Sequence, residues 1–432
     1  MTSTALKIGI AGLGTVGAAV FRLIDENAEL LSARAGRPVV VTAVSARNRD
    51  KDRGINLARV TWHDNPVALA DDEQVDVVVE TMGGADGAAY DLTMRALGLG
   101  KPVVSANKAL IALKGATLLD VLGKSAGSLS YEAAVAGGVP VIKGLREGMV
   151  ANDIRAVYGI LNGTCNFILS EMAATGRDFA DVLQEAQARG YAEADPSFDI
   201  DGPDTAHKLS ILAALAFGAV PDARMVDVRG IRDVSAFDIA AARELGYRIK
   251  LLGIAKRRDD GVMLTVEPCL IPEGHPVAHV DGALNAVYTD GDRAGKILMV
   301  GAGAGGDATA SAIVADLVDV ARGRALPFLG MGGQVQSLTV ADPASGRGSY
   351  FLRLVVLDQP GVIADISAIL RDCGVSLESV LQRGRAPGQP VPLILTSHET
   401  RAGDIQAAVA RIAGLACVTE PPHMMRIEEF DI

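Results

Sequence analysis

The alternation of apolar and polar positions divides the chain into stretches of different period. Near the N-terminus, short continuous apolar runs at 6–11, 39–46, 76–80 and 102–106 read as strands buried on both faces. Residues 18–34 and 88–97 repeat their apolar positions at helical spacing. Strands alternating with helices imply βαβ units and a parallel sheet. From Ser128 the texture changes. Residues 129–136 form a strand-like run, Gly137-Gly138-Val139-Pro140 a tight turn opening a helix, 153–161 an alternating strand and 206–217 an apolar helix. Asp259-Asp260-Gly261, between 255–257 and 263–270, is hairpin turn chemistry. The run from Gly301 to Gly306 leads into a helix over 308–322, expected to pack back on the first stretch, its glycines letting the backbone approach a ligand. Residues 331–349, rich in Gly, Ser and Pro, read as a linker. The final stretch stands apart: strand 351–357, helix 361–373, strands 376–382 and 391–397, helix 402–413 and strand 424–428, a ferredoxin-like βαββαβ order.

The fold class read from this pattern is α/β. A Rossmann-type nucleotide domain covers 1–130, completed by a helix at about 306–323. A mixed α+β domain covers 131–305, and a βαββαβ module covers 350–432. Composition agrees: 49% of the 432 residues are hydrophobic and only 4% aromatic, which suits parallel strands under close-packed helices. A net charge of −11 argues against binding along a nucleic-acid backbone. No apolar run approaches the ~20 residues of a membrane span. The four cysteines, Cys165, Cys269, Cys373 and Cys417, are scattered without metal or disulfide spacing, so a reducing cytoplasm is the expected location.

Gly12-Leu13-Gly14-Thr15-Val16-Gly17 lies between the first strand and the first helix. In that setting the first glycine permits a tight turn, the second lets the backbone approach a pyrophosphate, and the third lets helix and strand pack closely. The second strand ends without the carboxylate that holds the ribose hydroxyls of NAD. Arg47 and Arg49 stand there instead, so NADP(H) is favoured, with NAD(H) as the alternative. Ser105-Ala106-Asn107-Lys108 follows a strand of this domain, where open α/β sheets place ligands. Tyr191 to Lys208 holds five carboxylates and then a lysine. Asp204 and Lys208, four residues apart at the start of an apolar helix, share one face, and a half-buried lysine beside an aspartate has a tuned proton affinity.

These motifs, with Glu132 to Pro140, Gly159 to Phe167 and Gly295 to Ala308, make the whole chain resemble the homoserine dehydrogenases. The final stretch, marked by Leu357-Asp358-Gln359-Pro360-Gly361, resembles an ACT domain. The resemblance implies reversible reduction of L-aspartate 4-semialdehyde to L-homoserine by NAD(P)H. It implies Lys208 as proton donor, Lys108 at the reacting centre, Glu193 on the substrate amino group, and Asp199 and Asp204 nearby. Expected cofactor contacts are Gly12, Leu13, Gly14, Thr15, Val16, Gly17, Arg47, Thr81, Ser105, Lys108, Gly303 and Gly305. The resemblance further implies a structural Na⁺ held by Glu132 and the backbone carbonyls of Val135, Gly137 and Val139, in keeping with oxygen-only ligation of a hard cation. It implies L-threonine as effector, a homodimer or homotetramer, and the single-activity form without an aspartate kinase.

Other readings fit less well. His275 and His279 have i,i+4 spacing, but Pro272 and Pro276 oppose a regular helix and no third zinc ligand is near. Cys165 reads as a packed structural cysteine, because reduction to an alcohol needs no covalent intermediate. An aspartate-semialdehyde dehydrogenase would need a nucleophilic cysteine with a histidine base, and no cysteine here has a histidine near in sequence. A catalytically silent sensor would not need both lysines and the full acidic stretch.

Overall fold

The computed structural model describes residues 4–332, 335, 337–383 and 386–430. They form two compact units, the first from 1–163, 204–226 and 284–338, the second from 164–203, 227–283 and 339–432.

In the first unit six parallel strands lie in the order Thr61–Trp62, Val39–Ser45, Leu6–Ala11, Val77–Glu80, Val103–Ser105, Leu129–Ser130. This is the doubly wound nucleotide-binding order. The central strands are apolar on both faces because helices cover both. The helix predicted over 18–34 is two helices, Thr15–Glu26 and Ala28–Ala35, which meet at Asn27 outside helical geometry. The helix Gly306–Ala321 lies against Thr15–Glu26, and its Ala310, Ile313, Val314 and Leu317 share a core with Ile8, Ile10, Val20 and Ile24. The strand-like run 129–136 is a strand only over Leu129–Ser130. A 3₁₀ turn, Glu132–Ala134, follows, and Ala136 and Gly137 then take left-handed backbone that no strand can continue through. The first unit also holds Ile154–Ile160 paired antiparallel with Leu284–Gly291, itself paired with Gly295–Ala302.

In the second unit the hairpin strands Tyr247–Arg258 and Gly261–Pro272 are longer than their alternating cores suggested, joined by the two-residue turn Asp259-Asp260. The C-terminal module has strands Arg347–Leu357, Leu377–Gln382, Pro390–Ser397 and His423–Ile427 and helices Val362–Asp372 and Ala402–Ala413. Its last strand lies beside the first, and the third separates the first from the second, the ferredoxin-like arrangement. The module does not stand apart. Its last strand pairs parallel with the hairpin, Cys269 against Arg426 and Leu270 against Ile427. The Arg426 guanidinium meets Glu267 at 3.2 Å, and Arg353 meets the buried Asp238 at 2.8 Å. The expected linker contains pairing and strand: the Val262 N–H donates to the Thr339 carbonyl, the Ala341 N–H donates to the Val262 carbonyl, and the first module strand begins at Arg347. Three residues of that stretch, 333, 334 and 336, lie outside the described residues.

Candidate active site

The glycine-rich turn meets each requirement of dinucleotide binding at a separate position. Gly12 has φ +93°, which a side chain rarely adopts. A Cβ on Gly17 would lie 1.9 Å from the Gly12 carbonyl oxygen, so helix and strand are packed to the limit. Gly14 faces open space, and Gly14 and Thr15 are exposed at a helix start with no side-chain cap. Free N–H groups at such an end suit a phosphate. Leu13 is buried and Val16 half-buried, so both contribute packing and backbone to the turn. Thr81 donates its hydroxyl to the carbonyls of Ala11 (3.0 Å) and Gly12 (2.6 Å), bracing the turn from the next strand.

Arg47 is exposed beyond the second strand. Sequence reasoning missed its neighbour Arg53, whose Nε donates to the Leu13 carbonyl at 3.0 Å, and Trp62, which lies under the guanidinium groups of Arg49 and Arg53 at 5.9 Å. The resulting cationic rim touches the glycine turn and matches the donor chemistry of a 2′-phosphate.

Lys108 opens the helix Lys108–Lys124, and a buried network fixes where that helix begins. The Ser105 hydroxyl donates to Glu80 at 2.7 Å and accepts the Asn107 N–H at 3.0 Å. Glu80 also accepts the N–H groups of Met82 and Gly83, and the Asn107 side chain caps the helix by accepting from Leu110. Ser105, expected to touch cofactor, thus spends its hydroxyl inside the protein. Glu80 is fully buried and went unnoticed in the sequence, where a strand-ending glutamate looks like any solvated one.

At the start of the helix Pro203–Phe217, Asp204 gathers the two lysines. Lys108 Nζ lies 2.8 Å from its Oδ1 and Lys208 Nζ 2.7 Å from its Oδ2. Asn162 donates to the same Oδ2 at 2.9 Å. Lys208 also donates to the Leu161 carbonyl at 2.7 Å. Among the described residues two of its three N–H groups are therefore taken, and one remains for a reacting oxygen. Burial pushes the Asp204 carboxyl up, but Lys208 and Lys108 together outweigh it and hold it well below the usual carboxylate range. The neighbouring His207 is pushed down, chiefly by burial, with the same two lysines adding to it against the pull of Asp204. Glu193, exposed, and Asp199, half-buried, belong to the second unit. Gln187 donates to the Glu193 carbonyl at 3.0 Å, and the Cys165 thiol to the Asp199 carbonyl at 3.2 Å.

The expected close approach of a ligand at Gly303 is an approach by protein. A Cβ there would fall 1.9 Å from Asn285 Cγ, and one on Gly137 would fall 2.6 Å from the Gly303 backbone. Gly305, with φ +113°, faces open space at the start of its helix. Glu132 is buried, and its two oxygens accept the N–H groups of Ile142 (2.9 Å) and Lys143 (2.8 Å). Burial, with Asp316 beside it, raises its pKa to about 7. The carbonyls of Val135 and Gly137 are on buried residues and receive no N–H among the described residues, while Val139 accepts from Val141. Carbonyl oxygens on buried residues and a carboxylate with lone pairs to spare are the oxygen donors that suit a hard monovalent cation. His279 Nε2 lies 2.7 Å from the Glu273 carbonyl, and the His275 ring stacks on Phe430 at 4.0 Å. Among the described residues no group of three His, Cys, Asp or Glu could hold a metal, and no helix is long and apolar enough to cross a membrane.

A model of the homoserine dehydrogenase family matches residues 140–318, one of the homoserine dehydrogenase NAD binding domain residues 12–132, and one of the ACT domain residues 350–417. The homoserine dehydrogenase of Neisseria gonorrhoeae is 43% identical over 430 residues, 98% of each chain, and that of Pseudomonas aeruginosa 42% over 435 residues, 99% of each. The crystal structure of a homoserine dehydrogenase from Thiobacillus denitrificans aligns with a TM-score of 0.93 at 43% identity, over 99% of both chains. A hyperthermophilic archaeal homoserine dehydrogenase in complex with NADPH aligns with a TM-score of 0.62 at 26% identity, over 73% of this chain and 97% of its own. On sequence, fold and site together, the chain belongs to the homoserine dehydrogenases, NAD(P)-dependent oxidoreductases, in the form that carries a C-terminal ACT domain.

Proposed function

We propose that the chain reduces L-aspartate 4-semialdehyde to L-homoserine, reversibly, with NADP(H) preferred over NAD(H), and that Lys208 supplies the proton. The observation that carries this is the Lys108–Asp204–Lys208 cluster, with one Lys208 N–H uncommitted. Bound NADPH supplies a hydride to the aldehyde carbon. Negative charge then develops on the aldehyde oxygen, and an ammonium group beside it stabilises that charge and passes a proton to it, a contribution of ~10²–10⁴-fold. Asp204 holds Lys208 and Lys108 close together despite their mutual repulsion. Glu193 and Asp199 receive the substrate ammonium group. The exposed Arg47, with Arg49 beside Trp62, receives the 2′-phosphate. The decisive assay is homoserine-dependent NADP⁺ reduction with and without phosphate. Turnover needing no phosphate supports the proposal, and phosphate dependence would point to an aspartate-semialdehyde dehydrogenase.

The same reading places the nucleotide domain at 1–130 with the helix at about 306–323, the catalytic and dimerisation domain at 131–305, and a regulatory module at 350–432 in a cytoplasmic homodimer or homotetramer. Na⁺ bound by Glu132 and the carbonyls of Val135, Gly137 and Val139 serves structure. Exchange of Na⁺ for a bulky organic cation is expected to lower the melting temperature with kcat per folded molecule unchanged; an unaltered melt argues against the ion.

L-Threonine is the proposed effector, held at the turn after the first module strand. There Gly361 has φ +96° and Asp358 Oδ2 accepts the Ala386 N–H at 2.7 Å. Deleting the module would also strip the strand that pairs Cys269 and Leu270, so a point change is the cleaner test. Asp358→Ala is expected to abolish threonine inhibition while sparing uninhibited turnover; equal inhibition of variant and parent would contradict this.

A further inference from the structure

Lys208 is steered by more than Asp204. Its second acceptor, the Leu161 carbonyl, lies just past the strand Ile154–Ile160, and Asn285 Nδ2 donates to that same oxygen at 3.0 Å. The antiparallel register pairs Ala286 with Ile160, which brings Asn285 opposite Leu161. Asn285 is 1% exposed, and its Oδ1 has no donor among the described residues. A buried acceptor left without a donor is unfavourable, so the amide is held where it is by what its N–H does. Turning it over would set Oδ1 against the Leu161 oxygen. Gly303 is what leaves room for it, since any Cβ at 303 would occupy the position of Asn285 Cγ. Gly303 has no positive φ, so the crowding alone argues for glycine there.

We propose that Asn285 is a positioning residue for the proton donor, acting through the Leu161 carbonyl, and that Gly303 is glycine to seat Asn285 and not to admit cofactor. The amide fixes the direction of one Lys208 N–H bond, Asp204 fixes a second, and the third is thereby aimed. This rests on Lys208 being the donor.

The test is a double-mutant cycle on the full-length chain, reading kcat, KM for homoserine and NADPH affinity by fluorescence. Asn285→Ala is expected to lower kcat roughly 10–100-fold, the scale of a small misplacement at a reacting group, with KM and NADPH affinity within about twofold. Gly303→Ala alone is expected to give the same signature. In the Asn285→Ala background it is expected to cost little further, because the side chain it would displace is gone. If Asn285→Ala folds poorly, Asn285→Leu keeps the approximate shape and lacks the N–H; its kcat is expected to fall alike. A parental kcat in the Asn285 variants overturns the proposal. So does a Gly303→Ala loss that is the same in both backgrounds or is carried by NADPH affinity. A Lys208→Ala enzyme with parental kcat would remove the donor reading itself and this proposal with it; an inactive Lys208→Ala beside unaffected Asn285 variants would remove this proposal alone.

Discussion

Lys208→Ala is expected to lower kcat by at least ~10²-fold while NADPH affinity stays near the parental value. The size follows from losing both the proton donor and a positive charge at the developing alkoxide. The selectivity follows from geometry, since Lys208 is bound to Asp204 and Leu161 and not to the glycine turn. Stopped-flow reduction with a fluorescence titration of NADPH separates the two quantities. Near-parental turnover would end the assignment of Lys208 as donor.

Asp204→Asn is expected to be as damaging, and in stability as well. Asp204 is the anion between two ammonium groups, one of them on a lysine whose side chain is only 12% exposed. Taking its charge away leaves those cations facing each other with little solvent, a situation that costs about 3–5 kcal/mol when one member of a buried ion pair is removed. The pH dependence of stability has a definite sign. The folded carboxyl titrates below its unfolded value near 3.8, so its stabilisation is complete above that pH and is lost as the pH falls through the lower folded value. The gap in melting temperature between parent and Asp204→Asn is therefore open at neutral pH and closes in strong acid. A gap that is independent of pH would mean that Asp204 acts by shape and not by charge.

Much of this architecture is legible in the sequence because local chemistry and fold agree there. Gly12, Gly14 and Gly17 are needed for separate reasons that a strand-turn-helix context already states, and Asp204 and Lys208 share a face by helical geometry alone. The missing parts are of another kind. The helix Lys108–Lys124 gives no clean apolar stripe, because consecutive residues Leu110, Ile111 and Ala112 are all buried and Lys114 departs from helical geometry. The 129–136 run looks like a strand by apolarity, and only the backbone conformation of Ala136 and Gly137 breaks it. The joining of the C-terminal module to the hairpin depends on residues some 160 positions apart, Glu267 and Arg426. Glu80, Asn162 and Asn285 contact the site's lysines, carbonyls or turns only through tertiary structure, and an isolated Asn or Glu carries no periodic signal. Gly303 shows the hazard most clearly, since its glycine was legible but the neighbour that requires it was not.

The most direct test of the account is a crystal structure of the chain with NADP⁺ and L-homoserine bound. The homoserine hydroxyl oxygen is expected about 3 Å from Lys208 Nζ, with Asp204 still bridging Lys208 and Lys108. A hydroxyl held by Lys108 alone, or by neither lysine, would contradict it.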